Sequence, residues 1–458
     1  MIFRIHKLVT CLFLLAFLCG CLVARAGSER PNILLIMADD LGYADIGAHG
    51  NVEFPTPNLD RLAGMGMRFT QGYVTGPVCG PSRAGLITGR NQERFGFEGH
   101  PGPKDTWGLP LDEDTLPASL KAAGYRTALF GKWHLGSEPG YRPLDRGFDE
   151  FYGFLSGMHD YFKQDDPNWG LIVEGEGSPA ELPQYLTFEL ADRTAAFIRR
   201  QAQEDSPFFV WLSFNAPHTP MQAPRRYLDK AQHIEGKLRS TYAAMVMAMD
   251  DAIATVINAL EESGVLDDTV IVFMSDNGGA MLDGGARNGA RNDPLRGSKA
   301  QLWEGGVRVP FFIIWPEQIP AGQVRDEIVS SLDLYPTFTA LANATTPDKL
   351  EGVDLSALLQ GEPMPELFQR ELHWRFYGTQ KAVRRGDLKW VRVSGDGGLY
   401  GMSKSVREDE DLSETHGPEA EALEESWVDW NSVNPKIKLH QQQMLESESR
   451  TGQSKGSD

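Results

Sequence analysis

Two short polar runs carry the first chemical signal. Asp39-Asp40 closes the apolar stretch Asn32–Met37, and Asp276-Asn277 closes the stretch Thr269–Met274. Adjacent carboxylates at a strand end repel unless a cation lies between them. Oxygen donors of this kind suit a hard ion, Ca2+ first and Mg2+ second, and are poor for zinc. The Asp276 stretch lacks the alternating oxygen residues and the closing glutamate of an EF-hand loop. Arg83, Lys132 and Lys299 add cations, and His134 and His218 add imidazoles. Gathered beside a dication, these groups would hold an anion and move a proton, and a phosphate or sulfate ester is the natural substrate. The remaining nucleophile is Cys79, one of four cysteines; the others are Cys11, Cys19 and Cys21.

The elements that must position these residues can be read from the same runs. Asn32–Met37, Arg126–Phe130, Phe208–Leu212 and Thr269–Met274 are short and continuously apolar, as expected of strands buried on both faces. They run respectively into Asp39-Asp40, Lys132-Trp133-His134, Asn215-Ala216-Pro217-His218 and Asp276-Asn277. Helical patterns lie between them at Pro57–Ala63, Leu116–Ala123, Leu186–Gln201 and Ser240–Ser263. This alternation predicts an α/β fold whose central, mostly parallel sheet is flanked by helices. Ligands of such sheets sit beyond the carboxyl ends of the strands, so all four polar clusters are expected in one crevice. The Gly-, Arg- and Asn-rich stretch Gly284–Gly306 reads as a functional loop presenting Lys299.

Composition sets outer bounds. A chain of 458 residues, 41% hydrophobic and 23% charged with 48 Gly and 28 Pro, is neither coiled coil nor collagen-like nor predominantly disordered. Its net charge of −19 disfavours nucleic acid or an anionic membrane as partner. Residues 1–26 have the basic start, short apolar run and Ala24-Arg25-Ala26 end of a signal peptide. Export to a periplasmic or extracellular site is expected, with no transmembrane span. Leu18-Cys19-Gly20-Cys21 offers an alternative, a lipoprotein anchored at Cys21. Either way Cys79 is a solitary thiol in an oxidising compartment, which favours a functional role. Residues 27–365 are expected to form a catalytic domain. Residues 366–440 should form a small subdomain with strands at Lys381–Arg385 and Leu388–Val393 and a helix at Glu419–Trp430. Residues 441–458 read as a polar, disordered tail, and Glu408–Asp411 as a solvated acidic surface.

Val78-Cys79-Gly80-Pro81-Ser82-Arg83, followed by Thr88-Gly89, resembles the maturation string of the formylglycine-dependent sulfatases, in their cysteine-type form. Gly131-Lys132-Trp133-His134, Ala216-Pro217-His218, Ser275-Asp276-Asn277-Gly278-Gly279, Leu295-Arg296-Gly297-Ser298-Lys299 and Trp303-Glu304-Gly305-Gly306 extend the resemblance in order along the chain. It implies an alkaline-phosphatase-like fold with a small C-terminal antiparallel-sheet subdomain. It implies that a formylglycine-generating maturation enzyme oxidises Cys79 to 3-oxoalanine, whose hydrate attacks sulfur. Asp39, Asp40, Asp276, Asn277 and residue 79 itself would hold one Ca2+. Arg83 would support the attacking oxygen, and Lys132 and Lys299 the sulfuryl oxygens. His218 would protonate the leaving alcohol, and His134 would take the proton that restores the aldehyde. Asn91–Glu98 and Arg146–Phe154 resemble bacterial polysaccharide sulfatases, several of which act on sulfated galactans. They imply a sulfated carbohydrate or aryl sulfate substrate. His100, Trp107, His159 and Tyr161 could meet a sugar by hydrogen bonds and stacking, but packing is the commoner role for such residues and they stay outside the expected catalytic set. A phosphate or phosphonate ester hydrolase of the same fold is the nearest alternative. A silent sugar-binding homologue is another, should Cys79 stay unconverted.

Overall fold

The computed structural model describes residues 30–282 and 287–435. The expected signal segment, Cys21 and the tail at 441–458 lie outside the described residues, as do residues 284–286 of the Lys299 loop and the end of the expected C-terminal subdomain. Strand β1 (Asn32–Ala38) shows why its sequence is apolar throughout. Ile33, Leu35 and Met37 enter the apolar layer on one face of the sheet, and Leu34, Ile36 and Ala38 enter the layer on the other. A strand covered on both faces has no solvated side on which a polar residue could alternate.

The other strands are β2 (Met67–Tyr73), β3 (Arg126–Lys132), β4 (Glu150–Phe154), β5 (Asp165–Asp166), β6 (Gly170–Leu171), β7 (Val173–Glu174), β8 (Ser178–Pro179) and β9 (Phe208–Ser213). They continue with β10 (Thr269–Ser275), β11 (Phe311–Ile314), β12 (Gln323–Ser330), β13 (Glu371–Phe376), β14 (Gln380–Arg385), β15 (Leu388–Arg392) and β16 (Leu399–Gly401). Ten of these form one sheet in the order β12-β2-β11-β10-β1-β9-β3-β4-β7-β8. Its centre is parallel, from β10 through β1, β9 and β3 to β4. Antiparallel pairing enters where β11 lies between β10 and β2, and again at the β7–β8 edge. The four expected strands are the central β1, β3, β9 and β10.

Helices cover both faces. Leu186–Gln201 and Lys237–Glu262 pack against one another on the Leu34 side, and Leu116–Ala122 and Leu334–Leu341 on the Ile33 side. Lys237–Glu262 has the length and apolar content of a membrane-crossing helix. Here it is a core helix: residues 241–250 are buried without interruption, against Leu186–Gln201, Arg225–Lys230 and Pro57–Gly64.

Strands β13–β16 make a separate antiparallel sheet in that order. One face, with Trp374, Ala382 and Val391, belongs to the same apolar layer as the main sheet. The other, with Val383, Trp390 and Leu399, is closed by Leu423 and Trp427 of helix Gly417–Ser432. The expectation for Glu408 is overturned: rather than lying on a solvated surface it is fully buried and paired with Lys389 at 2.8 Å. A charge can be buried only with such a partner, and sequence gave no sign of one 19 positions away. Asp409, Glu410 and Asp411 are exposed, as expected.

Candidate active site

Parallel register brings the polar strand ends together. Ala38 pairs with Ser275, so Asp39 and Asp276 are each the first residue past the ladder. Their backbones continue the pattern, Asp276 N–H donating to Ala38 O at 3.0 Å and Asp39 N–H to Ala216 O at 3.0 Å. Ser213 pairs with Met37 on one side and Gly131 on the other, which sets Lys132 and the turn carrying His218 at the same level. Cys79 enters from β2 as the first residue of helix Cys79–Thr88, at the end where backbone N–H groups favour negative charge. Two residues are held in the left-handed backbone region that non-glycine residues seldom occupy, Asp40 at φ 61° and His134 at φ 64°. Strain of this kind persists where surrounding structure enforces it, commonly at functional sites.

The side chains form one buried polar cluster. One ligand atom each from Asp39, Asp40, Cys79 and His218 lie within 4.8 Å of one another. Lys132 Nζ donates to Asp39 Oδ2 at 2.6 Å, and Lys299 Nζ to Asp40 Oδ2 at 2.8 Å. Cys79 Sγ lies 3.5 Å from Asp39 Oδ1 and 3.4 Å from Lys299 Nζ. Asp40 N–H donates to Asp276 Oδ1 at 3.3 Å, while Arg83 donates to Asp276 Oδ2 through Nε at 3.0 Å and Nη2 at 2.8 Å. Asn277 Nδ2 donates to Asp40 Oδ1 at 2.7 Å. His134 sits beside His100, ring centres 5.0 Å apart. A Cβ at position 157 would fall 2.6 Å from His134 Nε2, so Gly157 leaves room for that ring.

Electrostatics divides the roles. Burial disfavours a charged His218, yet Asp39 and Asp40 outweigh it and raise the imidazole above its ordinary range. Its Nδ1 lies 2.7 Å from Thr219 O, an acceptor that requires N–H there, which turns Nε2 toward Asp40 Oδ2 at 3.5 Å. His134 goes the other way: burial, then Lys132 and His100, hold it well below the ordinary value and therefore neutral. For Cys79, burial would raise the thiol, but Lys132 and Lys299 bring it down to about 6. Burial, with Asp39 beside it, raises Asp276 to about 6 despite Arg83, whereas Lys299 and His218 overcome burial at Asp40 and bring it to about 2.

The donor set fits a hard dication. Three buried carboxylates converge, and the amide oxygen Asn277 Oδ1 is buried without a hydrogen-bond partner, an acceptor that a cation would satisfy. The metal-ligating and catalytic residues read from sequence thus meet in one place. Sequence reasoning passed over Ser213, whose Oγ donates to Lys132 O at 2.7 Å and accepts from Arg83 Nη1 at 2.6 Å. It also passed over Asn288, whose Nδ2 donates to Asp40 O at 3.1 Å. A polar residue ending an apolar run was the available signal for Ser213; nothing local marked Asn288. Two of the candidate sugar residues take the packing role, fully buried and internally bonded. His159 uses both nitrogens on Asp160 O and Gly170 O, and Tyr161 Oη donates to Asn215 O and His218 O. Trp107 packs edge-on against Phe97.

Cations and imidazoles around converging carboxylates, at the carboxyl ends of a parallel sheet, define a hydrolase of anionic esters. Comparison with known proteins makes the class specific. Residues 31–344 match the sulfatase family model, and the chain belongs to that family. It is 34% identical over 394 residues to N-acetylgalactosamine-6-sulfatase of Mus musculus, covering 80% of this chain and 73% of that one. It is 37% identical over 388 residues to arylsulfatase A of Homo sapiens, covering 78% and 72%. The crystal structure of Ps i-CgsB in complex with k-i-k-neocarrahexaose superposes with a TM-score of 0.85 at 33% identity, covering 93% of this chain and 98% of that one. The fold is accordingly alkaline-phosphatase-like, and the protein is a sulfatase, a hydrolase of sulfate esters.

Proposed function

We propose that this sulfatase removes sulfate from a sulfated carbohydrate, using residue 79 as a formylglycine and one bound Ca2+. The observation that carries this reading is the setting of Cys79. It is a buried residue at a helix N-terminus, within 3.5 Å of both a carboxylate and a lysine ammonium, in a chain whose other cysteines fall in the export segment. An unmodified thiol has one heteroatom with which to attack sulfur, whereas a hydrated aldehyde has a second through which sulfate can be expelled.

Asp39, Asp40, Asp276 and Asn277, with residue 79, would hold the ion; when bound, it supplies Lewis-acid charge for the sulfate oxygens and for the attacking hydroxyl. Arg83, locked on Asp276, places its positive charge behind residue 79. Lys132 Nζ and Lys299 Nζ flank residue 79 and would neutralise charge on the sulfuryl oxygens. Protonated His218 would deliver the Nε2 proton to the leaving oxygen, and neutral His134 would accept a proton from residue 79. Opposed imidazoles in one site are a usual way of assigning acid and base. The carbohydrate reading is supported by the mouse relative's name, N-acetylgalactosamine-6-sulfatase, and by the neocarrahexaose in the Ps i-CgsB complex. The signal-like start supports export.

A matched pair of aryl sulfate and aryl phosphate tests the ester preference. Sulfate should be hydrolysed faster by orders of magnitude; faster phosphate hydrolysis would move the protein to the phosphoester branch of its fold.

A further inference from the structure

The loop that presents Lys299 is gripped by the C-terminal sheet, and one side chain holds the segment next to Lys299. Gln380, the first residue of β14, is 7% exposed. Its Oε1 accepts from Leu302 N–H at 2.9 Å and its Nε2 donates to Ala300 O at 2.8 Å. The two bonds bracket the segment that follows Lys299. Ala300 itself has φ 67°, a left-handed conformation that an alanine does not hold without support. On the active-site side the same segment is tied by Lys299 N–H to Gly279 O at 3.1 Å and by Ala300 N–H to Pro77 O at 2.9 Å, two residues before Cys79. Beyond it, Glu304 is held by Lys389 of β15 at 2.9 Å, and its N–H donates to Glu408 Oε2 at 2.7 Å.

We propose that Gln380 is a positioning residue for the hydrolysis, fixing the backbone that aims Lys299 Nζ at Asp40 and residue 79. The C-terminal sheet is then part of the catalytic apparatus. The inference rests on the reading of Lys299 as a working group of the site. A lysine has a long flexible stem, so its head is placed only as well as its backbone is. A misplacement of about 1 Å can cost on the order of 10²-fold in rate.

Gln380→Met keeps the volume and removes both hydrogen bonds. Its kcat on an aryl sulfate should fall by about tenfold or more while the melting temperature stays close to that of the parent enzyme. In a Lys299→Ala background the same change should cost less than about threefold, because a residue acting through Lys299 has nothing left to position. Full kcat in Gln380→Met, or losses that multiply in the double variant, would overturn the inference while leaving the site reading intact. Undiminished kcat in Lys299→Ala would instead remove that reading and this inference together. Should the methionine variant not accumulate, Gln380→Glu keeps the acceptor for Leu302 N–H and loses the donor to Ala300 O. It should show the same deficit and the same non-additivity, and its absence would likewise overturn the proposal.

Discussion

His218 and His134 have the same side chain and opposite surroundings. Two carboxylates favour a proton on the first, and burial, then neighbouring cations, disfavour it on the second. The division predicts a leaving-group effect. In His218→Ala, kcat should fall on the order of 10²–10⁴-fold for sugar or alkyl sulfates, whose alcohols need the proton. The loss should be much smaller for nitrophenyl sulfate, whose phenoxide leaves unaided. Rates across aryl sulfates of graded phenol acidity provide the check, and an equal loss across the series would remove His218 from that role. Sequence alone supplied the residue types but not their opposite proton preferences. Those depend on which groups face each ring, and Lys132, two positions from His134, is the only local hint.

At the scale of elements, the central strands were legible because burial on both faces forces an unbroken apolar run, as in Thr269–Ser275. The helix Cys79–Thr88 leaves no mark in the sequence: it is buried on every side, opens Cys-Gly-Pro-Ser and has no side-chain cap, so neither periodicity nor a cap announces it. The antiparallel insertion of β11 was also hidden, since strand direction leaves no mark on an apolar run. Least legible was the clasp between the main sheet and the C-terminal sheet, where Glu304, Lys389 and Glu408 share a buried site. Burial would raise Glu304, but Lys389, Arg384 and Arg308 bring it to about 2; burial, only partly offset by Lys389, raises Glu408 to about 7 from an ordinary 4.5. A carboxyl raised on folding binds its proton more tightly in the native state. Its contribution to stability is complete below about pH 4.5 and is lost as pH rises through about 7. Relative to Glu408→Gln, the parent enzyme should therefore lose melting temperature as pH is raised from about 5 to about 7. The opposite drift would mean that Glu408 is ionised throughout.

Over the whole molecule, an acidic chain of net charge −19 concentrates Arg83, Lys132 and Lys299 around three buried carboxylates. Those carboxylates are what a dication would stabilise. Removing Ca2+ with a chelator should abolish turnover and lower the melting temperature, and added Ca2+ should restore both more fully than Mg2+. Saturation at about 100 times the dissociation constant corresponds to roughly 2.7 kcal/mol of stability. Activity indifferent to chelation would contradict the metal assignment. The chemical state of residue 79 decides the mechanism, and mass analysis of the peptide carrying it, cut from fully active enzyme, reads that state directly. The aldehyde, captured by a hydrazide label in proportion to activity, is the predicted result; a fully active preparation holding only the unmodified thiol would contradict it.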